Sequence, residues 1–263
     1  MYLPILLMLF LIAAVLCGIG FFRYIYFFSV GYGLAVAGIG AGLLFLCRPM
    51  LTPPGVWLSV ILILYGLRLA GYLILREIKS GAYRKLLTTE IKKNVSVGSR
   101  LAIWLACSLL YICQCAPVLS RVLDGGTDVC CLIGTAFALL GVILETAADI
   151  CKSAAKKKSP GRFVDTGLYR LVRCPNYFGE LLLWTGVLLC GVTVMKTPLE
   201  WILAVLGYLG IVYVIFSGAR RLELRQERVY GDDPAYRAYV KKTPILLPLI
   251  PLYSVKKWTW FVA

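Results

Sequence analysis

Residues Arg173 to Glu180 read Arg-Cys-Pro-Asn-Tyr-Phe-Gly-Glu, placing a cation, an amide, a phenol and a carboxylate at the start of an apolar stretch. Packing alone rarely asks for that combination in such surroundings. A helix begun near Pro175 turns Asn176 and Glu180, four residues apart, toward one side, where they can share a ligand. Glu145 and Asp149 repeat that spacing in an earlier apolar stretch. Two carboxylates near hydrocarbon are costly unless paired, hydrated or protonated. They read either as receivers of ligand hydroxyls, amides or cations, or as partners for Lys152, Arg170 or Arg173.

A third polar group is the set Tyr65, Arg68, Tyr72 and Arg76, whose offsets of three, seven and eleven draw a stripe along one helix face. Arg76 can snorkel and Tyr72 can anchor at a membrane interface. Arg68, about two turns deeper, wants an acidic partner or a water-filled cavity. The segment from Lys156 to Arg173 holds Lys156-Lys157-Lys158, Pro160-Gly161-Arg162 and Thr166-Gly167-Leu168-Tyr169-Arg170. Its cations and glycines read either as topology determinants or as a phosphate-embracing loop. Neither the Gly-x-Gly-x-x-Gly turn nor the P-loop pattern occurs, so a soluble nucleotide-binding fold is not indicated. The chain has no histidine, which excludes histidine-based triads and the commonest zinc ligand; no metal site is expected.

The elements that must position these groups are membrane helices. The chain is 60% hydrophobic with mean hydropathy +0.82. Seven apolar stretches, at residues 3–22, 24–47, 55–75, 101–120, 129–151, 177–195 and 198–218, each approach the ~20 residues that cross a bilayer. The expectation is an all-α polytopic bundle of about seven transmembrane helices, forming one membrane domain over residues 1–263. The 28 basic residues outnumber 13 acidic ones, with seven basic residues from Arg76 to Arg100, seven from Lys152 to Arg173 and nine from Arg220 onward. By the positive-inside rule those segments are cytoplasmic, which puts the N-terminus outside and the C-terminus inside, in a bacterial plasma membrane or the endoplasmic reticulum. The charge surplus is then a topology signal and an attraction to anionic lipids, and nucleic acid is not an expected partner.

Several features complete the reading. The first stretch lacks a basic leader and a small-residue cleavage site and reads as a retained helix. The ten cysteines lie scattered through apolar segments with no Cys-x-x-Cys pair, as buried thiols do. Gly38, Gly40 and Gly42 suit close helix contact. Beyond residue 220 a polar tail with helical spacing leads to Ile245–Leu252, a proline-broken apolar run too short to span. That run could lie at the interface beside Lys256, Lys257, Trp258 and Trp260.

Taken together, Glu145-Thr-Ala-Ala-Asp149, Lys152, Pro160-Gly161-Arg162-Phe163, Thr166 to Arg170, Arg173-x-Pro-Asn-Tyr-Phe-Gly-Glu180, Tyr236, Tyr239, Thr243 and Pro248 resemble the C-terminal domain of steroid 5-alpha-reductases, closest to its bacterial-type branch. The resemblance implies seven helices around a cavity that takes NADPH on its cytoplasmic side. It assigns cofactor contacts to Glu145, Asp149, Lys156, Tyr169, Arg170, Arg173, Asn176 and Glu180 within residues 129–250, and the substrate side to residues 1–120. Pro53-Pro54-Gly55 and Tyr65-x-x-Arg68-x-x-x-Tyr72 resemble the family's substrate helix. Tyr65 would then polarise an enone carbonyl while hydride reaches the β-carbon, with Arg68 and Tyr72 nearby. The chain departs from the family twice: no acid precedes Glu77 to assist Tyr65, and Cys174 stands where the family has histidine.

The leading reading is an NADPH-dependent reductase of a conjugated double bond in a steroid-like or other lipid enone, with no obligate protein partner evident. Two alternatives stand beside it. The Arg-x-Pro-x-Tyr-x-Gly pattern and the acidic stretch Glu223 to Glu227 also resemble isoprenylcysteine carboxyl methyltransferases, which use S-adenosylmethionine. A lipid-binding scaffold that kept the bundle and lost catalysis is the third.

Overall fold

The computed structural model describes residues 1–79, 81 and 95–261. Four of the seven cations between Arg76 and Arg100, namely Arg84, Lys85, Lys92 and Lys93, lie outside the described residues. Among the described residues, eight α-helices carry the fold: α1 (Tyr2–Cys17), α2 (Val30–Leu46), α3 (Pro53–Lys79), α4 (Val97–Asp124), α5 (Val129–Lys158), α6 (Pro175–Val192), α7 (Pro198–Tyr230) and α8 (Pro234–Lys242). No strand occurs among the described residues. Each of the seven apolar stretches contains a helix. By length and composition, five segments among the described residues suffice to cross a membrane: Tyr2–Phe21, α3, α4, α5 and α7. The 17-residue α2 is shorter, and Asn176 and Glu180 dilute the apolar character of the 18-residue α6.

Helix ends follow local chemistry. α3, α6, α7 and α8 each begin at a proline, whose fixed φ suits the first turn and whose missing N–H costs nothing there. Thr197 and Glu200 form a capping box: the Thr197 N–H donates to Glu200 Oε2 at 2.8 Å and the Glu200 N–H to Thr197 Oγ1 at 3.4 Å. α4 stops at Gly125, whose φ of +74° is left-handed. The first two stretches are shorter as helices than as apolar runs, because 3-10 turns at Gly18–Phe21 and Tyr24–Phe28 reverse the chain. The polar tail, by contrast, extends α7 without a break to Tyr230.

Packing resolves two compact units, one of Met1–Thr135 and Gly186–Tyr208, the other of Ala136–Thr185 and Leu209–Ala263. The first therefore includes a later segment beyond residues 1–120. In it α2 lies between α1 and α3. A β-carbon at Gly38 would meet Leu16 and Ile12, one at Gly42 would meet Leu9, and one at Gly40 would stand 2.7 Å from the Ser59 carbonyl. The cluster therefore serves two helix contacts on two faces. Deepest is the Gly33–Gly66 crossing, where a β-carbon on Gly66 would sit 2.2 Å from the Gly33 carbonyl oxygen. Only glycine allows the two backbones that close.

Arg121 ties one end of this unit together. It is 1% exposed and donates to the Cys190 carbonyl (2.7 Å), the Gly126 carbonyl (3.2 Å), Asp128 Oδ2 (2.8 Å) and Thr193 Oγ1 (2.7 Å). Asp128, in the turn before α5, also accepts from the Thr193 hydroxyl at 2.6 Å and the Cys131 N–H at 2.8 Å. These donors, Thr193 first, then Cys131 and Arg121, push its carboxyl down to about 2 from an ordinary 3.8.

A depressed carboxyl contributes stability above its ordinary value and loses it as pH falls toward its folded value. We expect thermal stability in detergent to fall as pH drops from about 4 toward 2, and Asp128→Asn to flatten that part of the profile. An unchanged slope in the variant would show that Asp128 carries none of the acid sensitivity.

Candidate functional site

The second unit gathers the motif residues around one close helix crossing. A β-carbon on Gly141 would come 2.5 Å from the Gly179 carbonyl oxygen and Leu183 nitrogen, and one on Gly179 would come 2.7 Å from the Glu145 nitrogen. α5 and α6 therefore touch backbone to backbone beside Glu145. On α5, Glu145 and Asp149 are 5% and 7% exposed. On α6, Glu180 is half-buried, and Asn176 Oδ1 is buried with no hydrogen-bond partner. A buried amide oxygen left unbonded costs free energy, so it suits a ligand donor. Among the described residues no group of three or more His, Cys, Asp or Glu side chains is placed to hold a metal.

The loop before α6 is pinned rather than open. Lys156 Nζ donates to the Arg162 carbonyl (2.5 Å), the Tyr230 hydroxyl (2.9 Å) and the Pro160 carbonyl (3.3 Å), and lies 5.3 Å from the Tyr230 ring centroid. Its three donors thus hold the turn after α5 against the end of α7. Tyr169 is buried in the 3-10 turn Gly167–Arg170, and its carbonyl accepts from the Tyr239 hydroxyl at 2.7 Å. Phe163 packs on Tyr236 and Tyr239, with ring centroids 5.3 and 5.5 Å apart. Arg170 is exposed.

Arg173 is 2% exposed and pairs with Glu223 at 3.1 Å. It also donates to the Tyr253 carbonyl, while the Val255 N–H donates to Glu223 Oε2 at 2.9 Å. The Arg173 and Cys174 N–H groups donate to the Pro244 and Ile245 carbonyls, each at 2.9 Å. The motif cation therefore binds the start of α6 to α7 and to the Ile245–Leu252 run, which folds back through an Ile245 N–H to Leu252 carbonyl bond of 2.7 Å. Glu223 is the partner that sequence reading missed, and its signal was faint: one acid among many on the tail. Cys174 is 2% exposed, and burial pushes its thiol up to about 11 against the lowering pull of Arg173 and Lys152. That is the character of a packed thiol, not of a reactive one.

The first unit holds the substrate-side candidates. Tyr65 is fully buried, with its hydroxyl 3.2 Å from that of Tyr32 and the two rings edge to face at 6.2 Å. Arg68 lies 5.9 Å from the Tyr72 ring centroid. Glu77, the first acid in the chain, accepts from Arg23 and, at 2.7 Å, from the Tyr26 hydroxyl. It sits three turns along α3 from Tyr65. Gln114 on α4 is 3% exposed, with both amide atoms unbonded; neither it nor Tyr32 stood out in the sequence.

The chain's matches to known proteins place this all-helical membrane protein in the steroid 5-alpha-reductase-like superfamily. The chain belongs to the family described as protein of unknown function (DUF1295), which matches residues 31–243. It is 27% identical to 3-oxo-5-alpha-steroid 4-dehydrogenase 1 of Rattus norvegicus over 129 residues, 48% of this chain and 44% of that one. An uncharacterized protein of Schizosaccharomyces pombe is 34% identical over 86 residues, 33% of this chain and 24% of that protein. The matches thus span less than half the length of these curated relatives. No solved structure matches the chain at a significant level.

Two outcomes follow for the pinned segment. Arg173→Leu strands Glu223 in a buried position and should destabilise by about 3 to 5 kcal/mol, with much of that recovered in Arg173→Leu/Glu223→Leu; chemical or thermal unfolding in detergent measures both. Cys174 should resist maleimide near neutral pH and label only on unfolding, read peptide by peptide by mass spectrometry. Prompt labelling of the folded protein would contradict the burial.

Proposed function

We propose that this protein is a membrane-embedded reductase that uses NADPH to saturate a conjugated C=C bond in a steroid-like or other lipid enone. The observation that carries this reading is the buried, unbonded Asn176 oxygen in the first turn of α6, in the same unit as the buried carboxylates Glu145 and Asp149. An amide acceptor and carboxylates fit the amide and hydroxyl hydrogens of a dinucleotide, and exposed Arg170 fits its phosphates. Glu180 and Tyr169 complete the set. Lys156 and Arg173 support it from behind by fixing the loop and the start of α6. A relative named 3-oxo-5-alpha-steroid 4-dehydrogenase supports the substrate class.

When bound, the reduced nicotinamide supplies a hydride to the β-carbon of the enone. The chain's own contribution on the substrate side is Tyr65, whose hydroxyl donates to the enone oxygen and stabilises the charge that gathers there. The α-carbon then takes a proton from water or from Tyr65. Buried surroundings strengthen that hydrogen bond and exclude competing water. In the membrane the basic segments face the cytoplasm, where a soluble dinucleotide arrives, and meet anionic lipid headgroups.

Equilibrium binding in detergent tests the assignment. NADPH should bind saturably, and Asn176→Ala and Glu180→Gln should each weaken it by about tenfold, the worth of one hydrogen bond to a buried or charged group. Tyr65→Phe should bind NADPH normally but reduce a 3-oxo-4-ene steroid at least ~10²-fold more slowly. Saturable binding of S-adenosylmethionine alone would replace this reading with the methyltransferase. Lipid binding without either cofactor would replace it with the scaffold.

A further inference from the structure

Tyr32 and Tyr65 are each followed by a glycine, and those glycines, Gly33 and Gly66, face each other where α2 and α3 cross most closely. A β-carbon on Gly33 would stand 2.6 Å from the Gly66 carbonyl oxygen, and one on Gly66 would stand 2.6 Å from the Ala37 nitrogen. The residue before each contact is therefore held at a fixed small separation from its counterpart. This brings the two phenols hydroxyl to hydroxyl, at 3.2 Å. The Tyr32 ring is fixed in turn by the Tyr111 ring, 4.8 Å away between centroids, while the Tyr111 hydroxyl is spent on the Phe27 carbonyl at 2.5 Å. Tyr32, Tyr65 and Tyr111 are 6%, 0% and 4% exposed, so bulk water does not compete for these hydroxyls.

Resting on the reductase reading, we propose that Tyr32 is the positioning residue for Tyr65, and that the two Tyr-Gly pairs build a two-phenol oxyanion site for the enone oxygen. A hydroxyl has one proton and two lone pairs, so the pair can be polarised in either direction. When Tyr65 points its proton at the enone oxygen, Tyr32 turns its own proton onto the Tyr65 oxygen. The phenol that serves the substrate thus receives a hydrogen bond at the moment it gives one. Polarised chains of this kind strengthen each link in a dry interior.

The balance of the step is simple. Hydride from the dihydronicotinamide, which is oxidised, forms a C–H bond at the β-carbon, and the C=C pair shifts to leave enolate charge on oxygen. The Tyr65 O–H bond breaks as the enol O–H bond forms, and the resulting phenolate accepts from Tyr32. Water then protonates the α-carbon as the enol proton returns to Tyr65. Glu77, three turns away and bonded to Arg23 and Tyr26, has no part in this.

The test uses full-length protein in detergent with testosterone carrying ¹³C at the C3 carbonyl. Isotope-edited infrared spectra should show the bound carbonyl band shifted to lower frequency in wild type, shifted less in Tyr32→Phe and unshifted in Tyr65→Phe. Tyr32→Phe keeps the ring that packs on Tyr111, so it should fold. In turnover it should lower kcat by about tenfold, less than loss of a direct oxyanion donor, with KM little changed. Gly66→Ala should reproduce the kcat loss by forcing the helices apart while NADPH binding stays intact.

A Tyr32→Phe band and kcat equal to wild type would overturn the inference. So would failure of wild type to bind or shift the probe, whatever NADPH does. The reductase reading itself falls only if NADPH does not bind, so the two failures are distinguishable.

Discussion

Within a bilayer, apolar side chains gain little by leaving lipid for protein, so helices must be held together by close approach of their backbones and by buried polar groups. In this chain the approach is made by glycines. The Gly33–Gly66 crossing sets the geometry of the first unit, and the Gly141–Gly179 crossing sets that of the second. Both lie next to chemistry: Tyr32 and Tyr65 precede one pair, and Glu145 meets the other through its backbone nitrogen. The candidate site residues are in position because the residues beside them have no side chain.

Charge is used in the same economical way. Two cations that an isolated motif reading assigns to ligands or topology, Lys156 and Arg173, and a third that it passes over, Arg121, are bonded inside the protein. Arg121 holds four acceptors at one end of the first unit, Lys156 holds two carbonyls and a phenol across a turn, and Arg173 joins three separate stretches of the second unit. A buried guanidinium is costly unless its donors are met, and both Arg121 and Arg173 lie against carbonyls and a carboxylate. The exposed Arg170 differs from them in leaving its charge to solvent.

How much of this was legible in the sequence depends on whether the information was local. Helix positions were legible, because hydropathy over about twenty residues fixes them. The starts at Pro53 and Pro175 were also read directly, whereas α8, begun at Pro234, lay inside a tail read only as polar. Gly40 and its neighbours announced close contact but not which helix they would meet. Asn176, Glu180, Glu145 and Asp149 declared themselves by being polar at helical spacing in apolar surroundings. Tyr32 could not: a tyrosine in an apolar run carries no mark of its partner, and Tyr65 is 33 residues away. Glu223 was hidden for the opposite reason, as one acid in a tail of mixed charge. Both needed the tertiary pairing, which no window along the chain contains.

The unbroken course of α7 carries one more consequence. A helix of 33 residues is about 50 Å long, well beyond the ~30 Å of hydrocarbon, so its polar end projects as a stiff post. Glu223 is carried on that post and must face Arg173. One residue inserted or deleted between Leu209 and Glu223 would swing the carboxylate about 100° around the helix axis, as 3.6 residues per turn dictates. The turn between Ser159 and Thr166 is held differently, by Lys156 on its carbonyls and by Phe163 on Tyr236 and Tyr239. Length is thus encoded in this protein as strictly as composition: α7 acts as a ruler whose count cannot drift.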